Sequence, residues 1–174
     1  RFEDNIDIYQ KILALDPTLH SIRQNLASIF EKQGMLDKAT EQYLDLGSRY
    51  EEEKERNKAL ALYHHIKEIN PAEEENRKRI VEIFIGTDRK AQAKSEMLEL
   101  AELAEQNHLP EKVEEYLLKV KDISPEDAEV SQSLARLYED KGDVEAATTE
   151  YLRLSGLFIE FEKFENATGV LQKV

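Results

Sequence analysis

Four histidines, 37 carboxylates and no cysteine bound the chemistry open to this chain of 174 residues. The adjacent pair His64-His65 is the first candidate, as a metal site. Successive residues on a helix point about 100° apart, so the two imidazoles cannot chelate one ion well together. A usable helical pair is spaced i, i+4, and no two of the histidines have that spacing. The acidic runs at 51–53 and 73–75 are the second candidate, as calcium ligands. A calcium loop needs alternating ligands and a Gly turn, which neither run has, so both read as solvated helix faces. No Gly-rich phosphate loop and no local Ser/His/Asp signature is present. The missing cysteine excludes disulfides, thiolate zinc sites and cysteine nucleophiles, and mildly favours a reducing compartment. The residues therefore predict no catalytic site, no cofactor and no metal.

The net charge of −13 repels nucleic acid and anionic lipid headgroups and attracts basic partners. Lys and Arg are interleaved with acids, so no nucleic-acid stripe forms. No run approaches the roughly 18 apolar residues of a membrane span. No leader pattern opens the chain. It starts at Arg1, just before a helical pattern, and reads as a piece of a longer protein; a cytoplasmic location is expected.

Elements must position whatever these side chains do, and the elements repeat. "ILALDP" ends at Pro17, "IKEINP" at Pro71 and "VKDISP" at Pro125, two steps of 54 residues. Sliding the chain by 54 aligns Leu26, Ile80 and Leu134; Phe30, Phe84 and Tyr138; Ala39, Ala93 and Ala147; Tyr43, Met97 and Tyr151; and Leu46, Leu100 and Leu154. Within a unit the apolar spacing is i, i+3, i+4, i+7, the stripe of an amphipathic helix. Gly34 and Gly142 mark helix C-termini, where the left-handed conformation suits Gly. Asp88 holds the middle place, with Gly86 just before it, and predicts an irregular turn. Each Pro closes one helix and opens the next. The His64-His65 pair falls on Gln10-Lys11 and Leu118-Lys119, which marks it as a surface pair.

These residues resemble tetratricopeptide repeats, whose unit of 34 residues is two antiparallel helices. A frame starting at Thr40 places Leu46-Gly47, Tyr50, Ala59, Tyr63 and Pro71 on the family's pattern. A second frame starting at His20 fits Ala27, Phe30, Ala39 and Tyr43. The frames overlap, so the second helix of one pair is the first of the next. The chain thus resembles bacterial variants with three helices per 54 residues, and its shared helices, around residues 37–55, 90–107 and 144–163, should be the longest. The resemblance implies an all-α fold: a right-handed α-solenoid of about ten helices, each repeat touching mainly its neighbours. Its units would be 1–18 (partial), 19–72, 73–126 and 127–174 (partial). The end helices would leave Ile6, Leu13, Val170 and Leu171 on open outer faces. A plain helix bundle is the alternative fold, against which the recurrence argues.

The resemblance also implies a binding face. The family holds a partner segment at positions 2, 5, 9 and 12 of its frame. Here these are Ser21, Gln24, Ser28 and Glu31; Glu75, Lys78, Glu82 and Ile85; and Glu129, Gln132, Arg136 and Glu139. With five Glu and two basic residues, the face suits a protein or peptide of basic or mixed charge. The subclass that grips a chaperone's C-terminal carboxylate is not implied, because Gln24, Ser28, Glu82 and Gln132 stand where its cations and amides would matter. Two functions are expected: an interaction scaffold, in a bacterial motility, secretion or polarity assembly, or a structural spacer or self-associating module without a dedicated peptide ligand, with the solenoid ends as the surfaces for self-association.

Overall fold

Polar turn residues and Schellman-type stops cut the chain into helices. The computed structural model describes residues 2–71 and 73–172, and ten helices lie among them. They are α1 (Phe2–Leu15), α2 (His20–Lys32), α3 (Leu36–Glu52), α4 (Arg56–Ile69), α5 (Glu74–Gly86), α6 (Lys90–Gln106), α7 (Pro110–Ile123), α8 (Ala128–Lys141), α9 (Val144–Glu160) and α10 (Phe164–Leu171). No strand occurs among the described residues. The shared helices α3, α6 and α9 are the longest, at 17 residues each.

Before α2 the backbone N–H and hydroxyl of Thr18 both donate to Asp16. Glu73 caps α5 by accepting from the Glu75 amide, and Asp127 caps α8 by accepting from the amides of Glu129 and Val130. These carboxylates satisfy N–H groups that a helix start leaves without partners.

Helices α1–α5 form one compact unit, Arg1–Thr87, and α6–α10 form a second, Asp88–Val174. Within each unit the extensive contacts run between helices consecutive in sequence: α1 on α2, α2 on α3, α3 on α4 and α4 on α5, then α6 on α7, α7 on α8, α8 on α9 and α9 on α10. Unit 1 buries Leu26, Phe30, Ala39, Tyr43, Leu46, Tyr63, Ile66, Ile80 and Phe84. Unit 2 buries Ala93, Met97, Leu100, Tyr116, Val120, Leu134, Ala147, Tyr151 and Leu154. The aligned apolar columns are thus core, except Tyr138, which is half-buried with its hydroxyl donating to Glu114 at 3.0 Å.

At the ends the expectation is corrected at Leu13. It is buried, because α1 rolls that side chain onto α2, and Ile8 and Leu15 are exposed instead. Ile6 and Val170 are half-buried and Leu171 is exposed.

Candidate partner-binding surfaces

Unit 1 carries eight of the twelve residues expected on a binding face. On α2, Ser21 and Gln24 are exposed and Ser28 is half-buried. Glu31 is half-buried and engaged: the Tyr43 hydroxyl donates to its carboxylate at 2.9 Å, and His65 Nε2 lies 3.0 Å from the same oxygen. The bond from His65 is the main reason that Glu31 titrates below the ordinary carboxylate range. Glu31 therefore ties α2 to α3 and α4, which makes it a structural acid. On α5, Glu75 pairs with Arg79 and Lys78 with Glu74, each one turn away, while Glu82 and Ile85 are exposed. Helices α2 and α5 make no extensive contact, so these eight residues form two separate faces.

The two adjacent histidines part company. His65 binds Glu31, and His64 is exposed near the Phe84 ring, with centroids 6.3 Å apart. Among the described residues no group of three His, Cys, Asp or Glu side chains is placed to hold a metal ion, and no helix is long and apolar enough to cross a membrane.

Unit 2 holds a groove of about 850 Å³, lined by α6, α7 and α8. Its apolar lining comes from Leu98 and Ala101 of α6, Leu109, Val113 and Leu117 at and along α7, and Val130 and Leu137 of α8. Its polar lining includes Glu102 and Glu105 of α6 and Glu129, Arg136 and Asp140 of α8. Asp127 and Lys141 also line it, but each has an internal partner: Lys94 pairs with Asp127, and Glu114 with Lys141. What remains facing solvent is mostly acidic, with Arg136, His108 and Ser133 among it. Of the four residues expected on α8, the groove takes Glu129 and Arg136. Gln132 is half-buried outside its lining, and Glu139 accepts a bond from the Tyr151 hydroxyl at 2.7 Å.

Sequence reasoning missed the α6 side of this groove. The signal was present: the Thr40 frame moved by 54 starts at Lys94, and its positions 5, 9 and 12 are Leu98, Glu102 and Glu105. A helix shared by two frames presents a binding face in the frame where it comes first.

No family model matches the chain, and no curated protein matches it. Among solved structures, the chain is similar to the kinesin light chain TPR-like repeats of Podosopora anserina, at 17% identity over 92% of this chain and 88% of that one, with a TM-score of 0.44. It is similar to pilF of Pseudomonas aeruginosa, at 19% identity over 94% and 79%, with a TM-score of 0.41. It is also similar to MamA of Desulfovibrio magneticus RS-1, at 14% identity over 90% and 97%, with a TM-score of 0.40. Likenesses of this size carry nothing about partner or activity. What the chain itself shows is helices packed in sequence order, with apolar columns spaced by 54 residues that are buried except at Tyr138.

Proposed function

We propose that this chain is a non-enzymatic interaction scaffold that takes a protein segment of basic or mixed charge in the α6–α8 groove of unit 2. The observation that carries this reading is the groove itself, with an apolar floor for anchoring side chains and an acidic rim to orient them. The exposed residues on α2 and α5 of unit 1 are secondary contact faces in this reading. The net charge of −13 speaks against nucleic acid and for a basic partner. The location in this reading is cytoplasmic, and the assembly served, of a motility, secretion or polarity type, is to be read from the partner recovered.

A pull-down with the chain identifies the partner, and association rates at low and high salt then test the site. Exposed charges are screened within about 8 Å at physiological ionic strength, so association slows as salt rises. Reversing Glu102 and Glu129 to Lys slows it further at low salt and leaves the helical content unchanged. Indifference to both the salt and the reversal would sink the groove as the site. Self-association is the second reading, favoured by the exposed Leu15 on α1 and by Phe164 and Leu171 on α10. A concentration-dependent mass in sedimentation would support it.

A further inference from the structure

The repeats supply an internal standard for what the α6–α8 groove lacks. Three times among the described residues a tyrosine hydroxyl donates to a glutamate twelve residues earlier: Tyr43 to Glu31 at 2.9 Å, Tyr63 to Glu51 at 2.5 Å, and Tyr151 to Glu139 at 2.7 Å. Each pair joins the end of one helix to the middle of the next, with the ring buried and the carboxylate at its rim. At the α6–α7 pair the same offset connects Glu105 to Leu117. The glutamate is kept and the phenol is gone.

The α3–α4 pair, 54 residues earlier, displays the full arrangement. The Tyr63 ring lies so close to Gly47 that a Cβ there would collide with its Cε1. Ala101 replaces that glycine and Leu117 replaces that tyrosine, and both line the groove, as does Glu105. Glu105 is exposed, and no hydrogen bond or ion pair engages its side chain among the described residues. Its counterparts Glu31, Glu51 and Glu139 are all engaged by the chain's own tyrosines.

We propose that the partner supplies the missing group: a tyrosyl side chain enters the α6–α8 groove, lays its ring on the exposed Leu109 above the buried Leu117, and donates its hydroxyl to Glu105. The inference rests on the groove reading above and narrows it to a segment with a tyrosine beside basic residues. Glu102, one turn before Glu105, and Asp140 on α8 meet the flanking cations. A phenol suits the site better than a plain aromatic ring. A hydrogen bond to a carboxylate is charge-assisted, and a ring over leucine side chains removes apolar surface from water.

The test uses the full chain and fluorescein-labelled octapeptides in which a central Tyr, Phe or Leu is flanked by Lys and Ala. Anisotropy titration is expected to give the Tyr peptide about tenfold tighter binding than the Phe peptide, from one charge-assisted bond. Glu105→Ala, at an exposed position, is expected to erase that preference. The double variant Ala101→Gly, Leu117→Tyr rebuilds the Gly47–Tyr63–Glu51 arrangement inside unit 2, so the chain occupies its own site. It is expected to bind the Tyr peptide about tenfold more weakly while circular dichroism stays that of the parent. If it loses helicity, Glu105→Ala alone decides. Equal affinity for Tyr and Phe peptides overturns the inference, as does an unaltered preference in Glu105→Ala or no binding of the Tyr peptide. None of these results touches the scaffold reading, which fails on the salt and charge-reversal experiments with the recovered partner.

Discussion

Two of the three recurring prolines, Pro17 and Pro125, have their carbonyl held by an arginine, and the arginine changes helix between units. In unit 1 Arg23 of α2 lies 3.4 Å from the Pro17 carbonyl and bonds Asp45 of α3 at 2.7 Å. In unit 2 Arg153 of α9 donates to the Pro125 carbonyl and, at 2.7 Å, to Ser131 of α8. The aligned columns read Arg23, Arg77, Ser131 and Asp45, Glu99, Arg153. The proline column was legible in the sequence; its partner was not, because the cation crosses from one helix to the other and no column keeps its charge. The tyrosine–glutamate pairs were half legible: the tyrosines stood in the core columns, but Glu31 and Glu139 read equally well as a binding face. Their titration gives a test. Burial first, and the bond to Glu139 second, push the Tyr151 phenol up to about 12. Glu31 moves the other way, below its ordinary value. A carboxyl depressed in the fold contributes stability that is complete above its unfolded pKa and lost as pH falls through the folded one. Between about pH 5 and 3 the denaturant midpoint of the parent should therefore fall more steeply than that of Glu31→Gln. Parallel curves would remove Glu31 from the fold's support. Tyr151→Phe, which leaves Glu139 without its donor, should cost about 1 kcal/mol in the same titration at pH 7.

Helix ends repeat more faithfully than the residues that make them. Left-handed backbone occurs at Gly34, Asp88 and Gly142, and again at Lys54, His108 and Glu162, each set spaced by 54. Around Lys54 the bonds are those of a Schellman stop: its amide donates to the Glu51 carbonyl at 2.9 Å, and the Glu55 amide to the Tyr50 carbonyl at 2.7 Å. His108 and Leu109, and Glu162 and Lys163, repeat the pattern. The glycine stops were legible in the sequence. The stops at Lys54, His108 and Glu162 were not, since those residue types mark no turn and the surrounding bonds hold them in a conformation that costs a side-chain-bearing residue about 1 kcal/mol. Lys54→Gly and Glu162→Gly should each raise the unfolding free energy by up to about 1 kcal/mol, measured by denaturant titration; no gain at either would mean that local bonds outweigh the strain. Close approach of helices runs the opposite way. Ala39 and Ala93 are fully buried where helices meet, so Leu at either should cost about 1–3 kcal/mol by overpacking, against little at the exposed Ala61. Equal midpoints for the three leucine variants would count against the repeat frame.

At the scale of the molecule the sequence period is continuous, yet the chain falls into two compact units between Thr87 and Asp88, inside the unit expected from the sequence at 73–126. Matching apolar columns reveal which helices share a pattern; they do not reveal where a contact array parts, which depends on packing the alignment cannot see. Charge is the property both units share. Among the described residues several ion pairs are exposed and one turn apart, such as Lys11–Asp7, Arg79–Glu75 and Lys119–Glu115. Pairs of that kind contribute between about 0 and 1 kcal/mol each. Against them stands a net charge of −13, whose self-repulsion destabilises the compact state. Salt weakens both terms, and the unbalanced acids outnumber what the pairs return. The thermal midpoint should therefore rise between 20 and 500 mM sodium chloride, both chosen to span Debye lengths from roughly 20 Å to about 4 Å. Salt also acts on hydration, so a control on charge is needed. Glu52→Lys with Glu160→Lys changes two exposed acids that no bond engages among the described residues, each by two charges, taking the net value from −13 to −13 + 4 = −9. The rise should shrink in that variant, and its midpoint at 20 mM should lie above the parent's. If the parent's midpoint falls with salt, the ion pairs outweigh the repulsion, and the acidic surplus is then no burden on the fold.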